Sequence, residues 1–224
     1  MKESKGILAD NAFLKVKLVV FDLDGTLVNA YEAIVKSVNF TLKKMGYPEA
    51  APKKICKAVG WGDKRLLAVF VKENDLEQAL LIYRAHHRAS LRKYAKLLAF
   101  TQEVLTYLRR RKYKIAIASN RPTEFTHIIV EHLGIKKYFD YILCADTLQQ
   151  GKPHPQILLK IMKQFNMDAS EAIFVGDMAV DIQTARNAGV RGIAVPTGSS
   201  TLSEIKKARP FKIIKNLAFL KEYL

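Results

Sequence analysis

The chain has 224 residues, of which 49% are apolar, 26% charged and 9% aromatic, and this composition excludes a disordered or collagen-like protein. A chain of this length buries a sizeable core as one large domain, or as one domain that carries a smaller inserted one. Lysine and arginine number 37 against 21 acidic residues, so the formal net charge is +16. Such a charge favours anionic partners, and it leaves phosphorylated metabolites, nucleic acid and a membrane surface open.

The cysteines and the apolar runs bear on the protein's location. Cys56 and Cys144 have no cysteine or histidine at metal-binding spacing, so we expect neither a zinc site nor a disulfide framework, and a reducing cytoplasm fits. The longest apolar run, 66–71, is far shorter than the roughly 20 residues of a membrane-spanning helix. Residues 1–15 lack the apolar core of a secretory signal, and we interpret them as an N-terminal extension.

The first predicted strand is the apolar run at 18–22, and the next such run begins only at residue 114. The intervening stretch is too long for a simple crossover connection. Apolar residues recur at helical spacing through 31–100, with a Gly-Tyr-Pro break after Lys44 and Met45. We therefore predict a small all-helical cap at 31–100, inserted on two hinges into a core made of 16–30 and 101–224.

The rest of the core alternates strands and helices. Residues 101–112 predict a helix with Thr101 as its N-cap, and Thr201 opens a capping box before a short helix. The predicted strands that follow residue 112 are 114–119, 141–146, 172–177, 191–196 and a short edge strand at 211–214. This alternation predicts an α/β fold, a doubly wound, Rossmann-like parallel sheet.

Four of the strand runs end in a polar residue. In a sheet of this kind, ligands bind beyond the carboxyl ends of the strands, so the four residues are expected to converge on one rim. They are Asp22, Ser119, Asp146 and Asp177.

Asp22-Leu23-Asp24-Gly25-Thr26 follows directly on the first strand. Residues two apart in an extended segment point the same way, so both carboxylates can face one site. Two crowded carboxylates attract a hard cation such as Mg²⁺, and one of them can attack as a nucleophile while the other moves a proton. A simple capped turn is the alternative interpretation of this string.

The later strand ends add three further polar groups. Ser119 and Asn120 can bind phosphate oxygens, although the pair also makes good helix caps. Lys152 stands between Gly151 and Pro153, which suits a fixed point charge. Asp177 and Asp181 lie four residues apart at the start of a helix, where they can complete a metal site or cap the helix.

Together, in this order, the strings resemble the four motifs of the haloacid dehalogenase superfamily: DxDxT, a Ser or Thr at the second strand, a Lys, and GDxxxD. The resemblance spans about 16–196, and the insert resembles the helical cap of its phosphoglycolate phosphatase and beta-phosphoglucomutase branch. The dehalogenases lack the second aspartate of the first motif, so Asp24 argues for phosphoryl transfer.

The resemblance implies a role for each motif residue. Asp22 would form an aspartyl phosphate, and Asp24 would protonate the leaving alcohol and then activate water. Mg²⁺ would bind the Asp22 carboxylate, the Asp24 backbone carbonyl and Asp177, while Asp181 would orient Lys152 or a metal-bound water. The remaining implied roles are phosphoryl binding by Ser119 and Asn120, and charge neutralisation by Lys152.

Substrate selection is assigned to the cap. Residues 31–100 hold 14 basic and 6 acidic residues, a net charge of +8, and Lys64 and Arg65 are the candidates for binding an anionic leaving group. Trp61 is either a packing plug or part of a lid. We interpret His86 and His87 as surface residues.

The expected function is Mg²⁺-dependent hydrolysis of a small phosphorylated metabolite such as phosphoglycolate, in the cytoplasm. A beta-phosphoglucomutase-type transfer, a pyrophosphatase and a nucleotidase are alternatives, because they share the chemistry up to the phosphoenzyme. A non-catalytic nucleic-acid-binding protein is a more distant one, since the motif carboxylates would repel nucleic acid. No membrane partner is expected, and the oligomeric state stays open.

Overall fold

A computed structural model describes residues 16–224, so the predicted N-terminal extension lies outside the described residues. The strands are β1 (Leu18–Phe21), β2 (Val28–Asn29), β3 (Lys96–Leu97), β4 (Lys114–Ser119), β5 (Tyr141–Cys144), β6 (Ala172–Gly176), β7 (Arg191–Ala194) and β8 (Lys212–Ile213). The helices are α1 (Tyr31–Lys44), α2 (Pro52–Lys57), α3 (Asp63–Ala68), α4 (Leu76–Tyr94), α5 (Thr101–Arg110), α6 (Thr123–His132), α7 (Gln156–Phe165), α8 (Ala179–Asn187) and α9 (Leu202–Lys207).

Six of the strands form one parallel sheet in the order β5-β4-β1-β6-β7-β8. This confirms the predicted α/β, doubly wound sheet, including the edge strand β8. The chain runs from β1 outward through β4 and β5 and then returns to β6 on the other side of β1. The strand order therefore changes direction beside β1, and such a switch point is where ligands bind in open α/β sheets.

Side chains of β1 alternate between two apolar layers, as the two-residue period of a strand requires. Leu18 and Val20 pack with α7, whereas Val19 and Phe21 join a larger cluster that extends to Ile34 of α1 and Leu67 of α3. A strand with apolar layers on both faces is buried throughout, and all four β1 residues are buried. The central position of β1 fixes the direction of the segment that follows it.

Four helices, α1 to α4, lie between β2 and β3, which pair antiparallel with Val28 opposite Leu97. The chain thus enters and leaves this helical insert, residues 31–100, through one short pair of antiparallel strands. Helices α1 and α4 pack along each other and bury Ala33, Val38 and Leu91. The predicted helical nature of the insert is confirmed, whereas its status as a separate domain stays a prediction.

Two predicted helix starts have different outcomes. Thr201 accepts a hydrogen bond from the Glu204 backbone N–H at 3.3 Å, and the Glu204 carboxylate accepts one from the Thr201 backbone N–H at 2.6 Å, which confirms the capping box. The prediction of Thr101 as an N-cap is wrong. Phe100 precedes α5 in a left-handed conformation, and the buried Thr101 hydroxyl instead donates to the Leu27 carbonyl at 2.8 Å, which joins α5 to the β2 segment.

Within residues 16–224, no helix has both the length and the apolar character that a membrane span needs.

Candidate active site

Three of the predicted polar strand ends meet at the centre of the sheet. Phe21 pairs with Ile117 of β4 and with Val175 of β6, so Asp22 leaves β1 between Ser119 and Asp177. All three side chains are buried. The fourth strand end, Asp146, lies beyond β5, where it accepts hydrogen bonds from the backbone and hydroxyl of Thr123. It shares the rim but is not part of the central cluster.

Lys152 joins two of the motif carboxylates. Its Nζ lies 2.6 Å from Asp22 Oδ1 and 2.6 Å from Asp181 Oδ1, and its side chain is almost completely buried. The second oxygen of Asp181 accepts the Met178 backbone N–H at 2.9 Å, which holds this carboxylate at the start of α8. The lysine is therefore a fixed charge directly beside Asp22.

Asn120 holds the loop that carries Lys152. The Lys152 backbone N–H donates to Asn120 Oδ1 at 2.8 Å, and Asn120 Nδ2 donates to the Lys152 carbonyl at 3.2 Å. The same Nδ2 donates to the carbonyl of Gly60, in the loop between α2 and α3, at 2.9 Å. A Cβ at Gly151 would stand 2.6 Å from Asn120 Oδ1, so glycine there leaves room for the amide. Asn120 thus links the rim of the sheet, the Lys152 loop and the insert.

The electrostatics of the acidic cluster are unbalanced. Burial raises the pKa of Asp22 to about 7, although the charge of Lys152 opposes the shift. Burial, with the charges of Asp181 and Asp22 added to it, raises the pKa of Asp177 well above its usual range. Burial acts to lower the pKa of Lys152, but the two carboxylates that it contacts raise it overall. One ammonium group does not neutralise three buried carboxylates, so the cluster favours a further cation.

The donor set fits a hard divalent cation. Asp22, Asp177 and Asp181 each offer a carboxylate oxygen, and these oxygens lie within 4.8 Å of one another. Asp177 Oδ1 accepts the Thr26 hydroxyl at 2.8 Å, while its Oδ2 is buried without a hydrogen-bond partner among the described residues. Buried polar atoms normally have a partner, so this oxygen marks a ligand position. All-oxygen donors suit Mg²⁺, and they give no support to zinc.

Glycines keep the space around Asp177 open. A Cβ at Gly25 would lie 2.5 Å from Asp177 Oδ2, and one at Gly198 would lie 1.5 Å from it. Gly25 also has a φ of +81°, which disfavours any side chain there. The glycine of the first motif therefore brings the Asp22–Thr26 loop against the strand end that carries Asp177.

Asp24 has a partner that sequence analysis missed. Arg121 donates from Nε to Asp24 Oδ2 at 2.6 Å and from Nη2 to Asp24 Oδ1 at 2.8 Å, a bidentate pair that is mostly buried. Arg121 directly follows Ser119 and Asn120 in the sequence. Because Arg121 stands one residue beyond this motif pair at a strand end, its position could have marked it as a candidate site residue.

The third nitrogen of Arg121 contacts the insert. Nη1 lies 2.9 Å from Nε2 of His87, which is completely buried in α4, so the interpretation of His87 as a surface residue is wrong; His86 is partly exposed. Arginine only donates, so Nε2 accepts and the proton of His87 lies on Nδ1, 3.0 Å from Ser37 Oγ. The Ser37 hydroxyl itself donates to the Ala33 carbonyl at 2.8 Å. Burial first, and then the adjacent Arg121 charge, lower the pKa of His87 to about 2.

A small cavity of about 50 Å³ lies between the rim and the insert. The core contributes Asp22, Asp24, Ser119, Arg121 and Lys152 to its wall. The insert contributes mainly apolar groups, among them Ile34, Leu66 and Tyr83. Asp22, Asp24, Ser119, Asn120 and Lys152 thus line a cavity whose core side is polar. Its insert side is mainly apolar apart from Asp63, which pairs with Arg84.

The predicted specificity residues lie elsewhere. Lys64 and Arg65 line a wider, open groove outside the cavity, together with Trp61 and Asp146. Lys64 pairs with Glu77 at 2.9 Å, and the Arg65 guanidinium lies 5.8 Å from the centre of the Trp61 ring. Trp61 is 40% exposed, which does not fit a packing plug. The assignment of Lys64 and Arg65 to substrate binding stays a prediction, and it applies to the outer groove.

Comparisons with known proteins agree with this geometry. Residues 19–195 match the model of a family described as haloacid dehalogenase-like hydrolase. The phosphoglycolate phosphatase 1 of Pseudomonas aeruginosa is 32% identical over 216 residues, which make up 90% of this chain and 77% of that protein. The phosphoglycolate phosphatase of Aquifex aeolicus is 28% identical over 204 residues, 89% of this chain and 96% of that protein.

A solved structure also resembles this chain over nearly its whole length. The crystal structure of a predicted phosphoglycolate phosphatase from Haemophilus somnus is similar with a TM-score of 0.88 at 26% identity, covering 93% of this chain and 97% of that one. The matched sequence range includes every motif residue from Asp22 to Asp181. The chain therefore belongs to the haloacid dehalogenase-like hydrolase family, as an enzyme of its phosphatase type.

Proposed function

We propose that the enzyme hydrolyses a small phosphomonoester of the phosphoglycolate type, with Mg²⁺ as its cofactor and through an aspartyl phosphate on Asp22. The observation that carries this proposal is the position of Asp22. It lies at the end of the central strand, 2.6 Å from Lys152, in a buried acidic cluster with an unpartnered Asp177 oxygen. Phosphoryl transfer needs positioned anionic oxygens and positive charge to neutralise them, and this arrangement is suited to both.

Asp22 is the nucleophile in this proposal. Lys152 binds one oxygen of its carboxylate and thereby holds the group in one orientation. Attack forms the bond between a carboxylate oxygen and phosphorus while the bond to the alcohol oxygen breaks. Asp181 positions Lys152, and both of its oxygens already accept hydrogen bonds, which supports this role over direct binding of the cation.

The cation ligands in this proposal are the Asp22 carboxylate, the Asp24 backbone carbonyl and Asp177. When bound, Mg²⁺ neutralises the carboxylates and the phosphoryl oxygens. Ser119 binds a phosphoryl oxygen: its Oγ accepts the Arg121 backbone N–H at 3.1 Å, which leaves the hydroxyl proton to donate. The Asn120 amide is engaged with Lys152 and Gly60, so it supports phosphoryl binding by placing the lysine.

Asp24 transfers the proton. It lies two residues after Asp22, lines the same cavity, and is held by Arg121. Both Asp24 oxygens accept hydrogen bonds from Arg121, so this role requires one oxygen to leave Arg121 and take up a proton when substrate binds. Asp24 would then protonate the leaving alcohol and later take a proton from the water that hydrolyses the phosphoenzyme. The insert covers the rim and limits water access until the phosphoenzyme has formed.

The cavity supports a small substrate, because its volume of about 50 Å³ is far below the roughly 300 to 1,000 Å³ of pockets for drug-sized ligands. The relatives named phosphoglycolate phosphatase match nearly the whole chain, which favours a leaving group of that size. Cys56 and Cys144 are both free thiols, in keeping with the proposed cytoplasmic location. The proposed partner is a small phosphorylated metabolite, with no role for nucleic acid.

The decisive test is a panel of phosphorylated metabolites assayed with Mg²⁺ and with excess chelator, with Asp22→Asn beside the wild type. We expect Asp22→Asn to lower kcat by more than about 10³-fold, because an amide does not attack phosphorus. Intact-mass measurement of rapidly quenched wild-type enzyme should show a phosphorylated species that the variant lacks. Asp146→Asn is the matched control, because Asp146 lies on the same rim outside the cavity, and it should retain wild-type kcat within about twofold. Turnover that survives in Asp22→Asn or in excess chelator would contradict the proposal.

A further inference from the structure

Arg121 carries more binding capacity than the proposed chemistry uses. A guanidinium has five N–H groups, and those of Arg121 make three hydrogen bonds: two to Asp24 and one to His87. One N–H on Nη1 and one on Nη2 therefore have no partner among the described residues. Such a pair of donors matches the two oxygens of a carboxylate.

The charges around the cavity single out the same residue. Lys152 and Arg121 are the cations of its wall within residues 16–224. Lys152 is bonded to two carboxylates, those of Asp22 and Asp181, whereas Arg121 is bonded to one, that of Asp24, and keeps further N–H donors. Arg121 lies on the side of Asp24, the group proposed to face the leaving alcohol. The positive charge on the leaving-group side of this cavity thus comes from Arg121.

The surroundings of Arg121 strengthen its interaction with an anion. Its side chain is only 8% exposed, and Ile34, Tyr83 and Phe125 line the same cavity. Burial raises the pKa of Tyr83, so its hydroxyl stays protonated and adds no charge to this wall. A charge-assisted hydrogen bond is stronger in such a dry, apolar setting than at the surface.

We propose that Arg121 is a specificity residue that binds a second anionic group, a carboxylate, on the leaving part of the substrate, and that His87 of the insert positions it. This inference rests on the proposed phosphatase function and narrows its substrate class to phosphomonoesters whose leaving alcohol carries a carboxylate. His87 suits the positioning role because it is neutral and buried, with its Nε2 free to accept from Arg121. Arg121 would select inside the cavity, whereas the predicted role of Lys64 and Arg65 applies to the outer groove.

The test compares 2-phosphoglycolate with 2-hydroxyethyl phosphate, which keeps the phosphoryl group and replaces the carboxylate by a neutral hydroxymethyl group. Wild-type kcat/KM should favour 2-phosphoglycolate by about 100-fold or more, because without the carboxylate two buried donors stay unpaired. Arg121→Gln should reduce this preference to less than about tenfold, and Arg121→Lys should give an intermediate value, because lysine keeps the charge but loses the paired donors. Arg88→Gln is the matched control, since Arg88 pairs with Glu124 outside the cavity, and it should keep the wild-type preference.

His87 variants test the positioning role. His87→Phe keeps an aromatic ring against Tyr83 and Phe125 but removes the acceptor for Arg121. We expect it to raise KM for 2-phosphoglycolate about tenfold with a smaller change in kcat, and to leave KM for 2-hydroxyethyl phosphate nearly unchanged. His87→Gln restores an acceptor and should recover part of the loss. A general packing defect would affect both substrates alike and would not respond to the glutamine.

The outcomes separate the inference from the function on which it rests. If the wild type hydrolyses both substrates equally well, or if Arg121→Gln loses equal activity on both, the Arg121 assignment is overturned while the phosphatase proposal stands. If the wild type with Mg²⁺ hydrolyses neither these nor any other phosphomonoester, the proposed function fails, and the assignment fails with it. The wild-type comparison needs no variant, so the inference stays testable if Arg121→Gln does not fold.

Discussion

Asp177 shows how a single buried residue can favour function over stability. Its Oδ1 is satisfied by Thr26, but its Oδ2 has no partner among the described residues. Burial, together with the charges of Asp181 and Asp22, raises its pKa. A carboxyl whose pKa is higher in the folded than in the unfolded protein lowers stability at neutral pH, because the folded state resists the charge that the unfolded state accepts. The buried carboxylate therefore lowers the stability of the folded protein until a cation neutralises it.

We expect Mg²⁺ to raise the melting temperature of the substrate-free enzyme. A cation at 100 times its Kd contributes about 2.7 kcal/mol, or roughly 5 to 10 °C for a protein of this size. Asp177→Asn should melt at or above the wild-type temperature in chelator, since it removes the buried charge, and should lose most of the Mg²⁺-dependent rise. Differential scanning calorimetry with and without Mg²⁺ measures both effects. Asp146→Asn should retain the full rise, and an unchanged rise in Asp177→Asn would exclude Asp177 as a ligand.

His87 makes the stability depend on pH. Its pKa is about 2 in the folded protein, lowered by burial and by the Arg121 and His86 charges, against about 6.5 for an unperturbed histidine. Below about pH 6.5 the unfolded chain takes up a proton that the folded protein refuses, so the free energy of unfolding falls by about 1.4 kcal/mol per pH unit from this group. Urea unfolding at pH 7, 6 and 5 gives the free energy of unfolding at each pH. This free energy should fall less steeply with decreasing pH in His87→Phe than in the wild type. His132→Gln, which changes an exposed histidine, should keep the wild-type slope. Equal slopes in His87→Phe and the wild type would rule out a neutral His87.

At the scale of elements, the loop between α2 and α3 joins the helical insert to the core. Gly60 in this loop has a φ of +108°, its carbonyl accepts from Asn120, and a Cβ there would lie 2.5 Å from Met178 Sδ. Because Asn120 also holds the Lys152 loop, this contact links the position of the insert to that of Lys152. Pairing of β2 with β3 alone leaves that position less defined.

Gly60→Ala should therefore impair catalysis more than folding. Alanine is strained at a φ of +108°, so the loop backbone shifts and weakens the Asn120 contact, while the flexible end of Met178 moves aside for the added carbon. A displacement of about 1 Å can cost up to about 100-fold in rate, so we expect kcat/KM to fall at least about tenfold. Gly46→Ala is the matched control, because Gly46 has a φ of +75° but no atom within 4 Å of the added carbon. Both variants should lose roughly 1 to 2 kcal/mol of stability from left-handed backbone strain. Comparable kcat/KM losses in the two variants would show that the Gly60 contact has no catalytic role.

At the scale of the whole molecule, the net charge of +16 attracts anionic substrates before any contact forms. Lys64 and Arg65 lie in the outer groove, which shares Asn120 and Lys152 with the wall of the inner cavity. The Lys64 side chain is 65% exposed, so its interaction with a substrate is screened by salt. These two cations suit attraction toward the cavity, whereas Arg121 suits selection inside it.

Replacing Lys64 and Arg65 together by glutamine should lower kcat/KM for a phosphorylated substrate by about two- to threefold at low ionic strength. The loss should disappear in high salt, because the screening length falls to about 3 Å at 1 M. Steady-state kinetics across a salt series make this measurement, with a Lys43→Gln, Lys44→Gln double variant as the control for total charge. A loss that persists in high salt would indicate direct contact with the substrate.

The sheet and its row of polar strand ends could be predicted from the sequence alone. Continuous apolar runs predict strands buried on both faces, and parallel strands with covered faces bring their carboxyl ends to one edge. Asp22, Ser119 and Asp177 therefore meet because of local pattern and sheet topology, and Lys152 follows from the resemblance of its motif. The Thr201 capping box was equally local, since its two partners lie three residues apart.

Contacts between side chains far apart in the sequence could not be predicted, because they form only when the chain folds. Arg121 meets Asp24 across 97 positions and His87 across 34, and no period or spacing in the sequence encodes either contact. An i to i+4 apolar pattern predicts the buried face of a helix, but a histidine is compatible with either face until its partners are known. For the same reason, the sequence did not show that Thr101 bonds to Leu27 instead of capping α5, or that Lys64 lies in the outer groove. Pairwise contacts between segments depend on how the insert packs on the sheet, and that packing is a property of the whole chain.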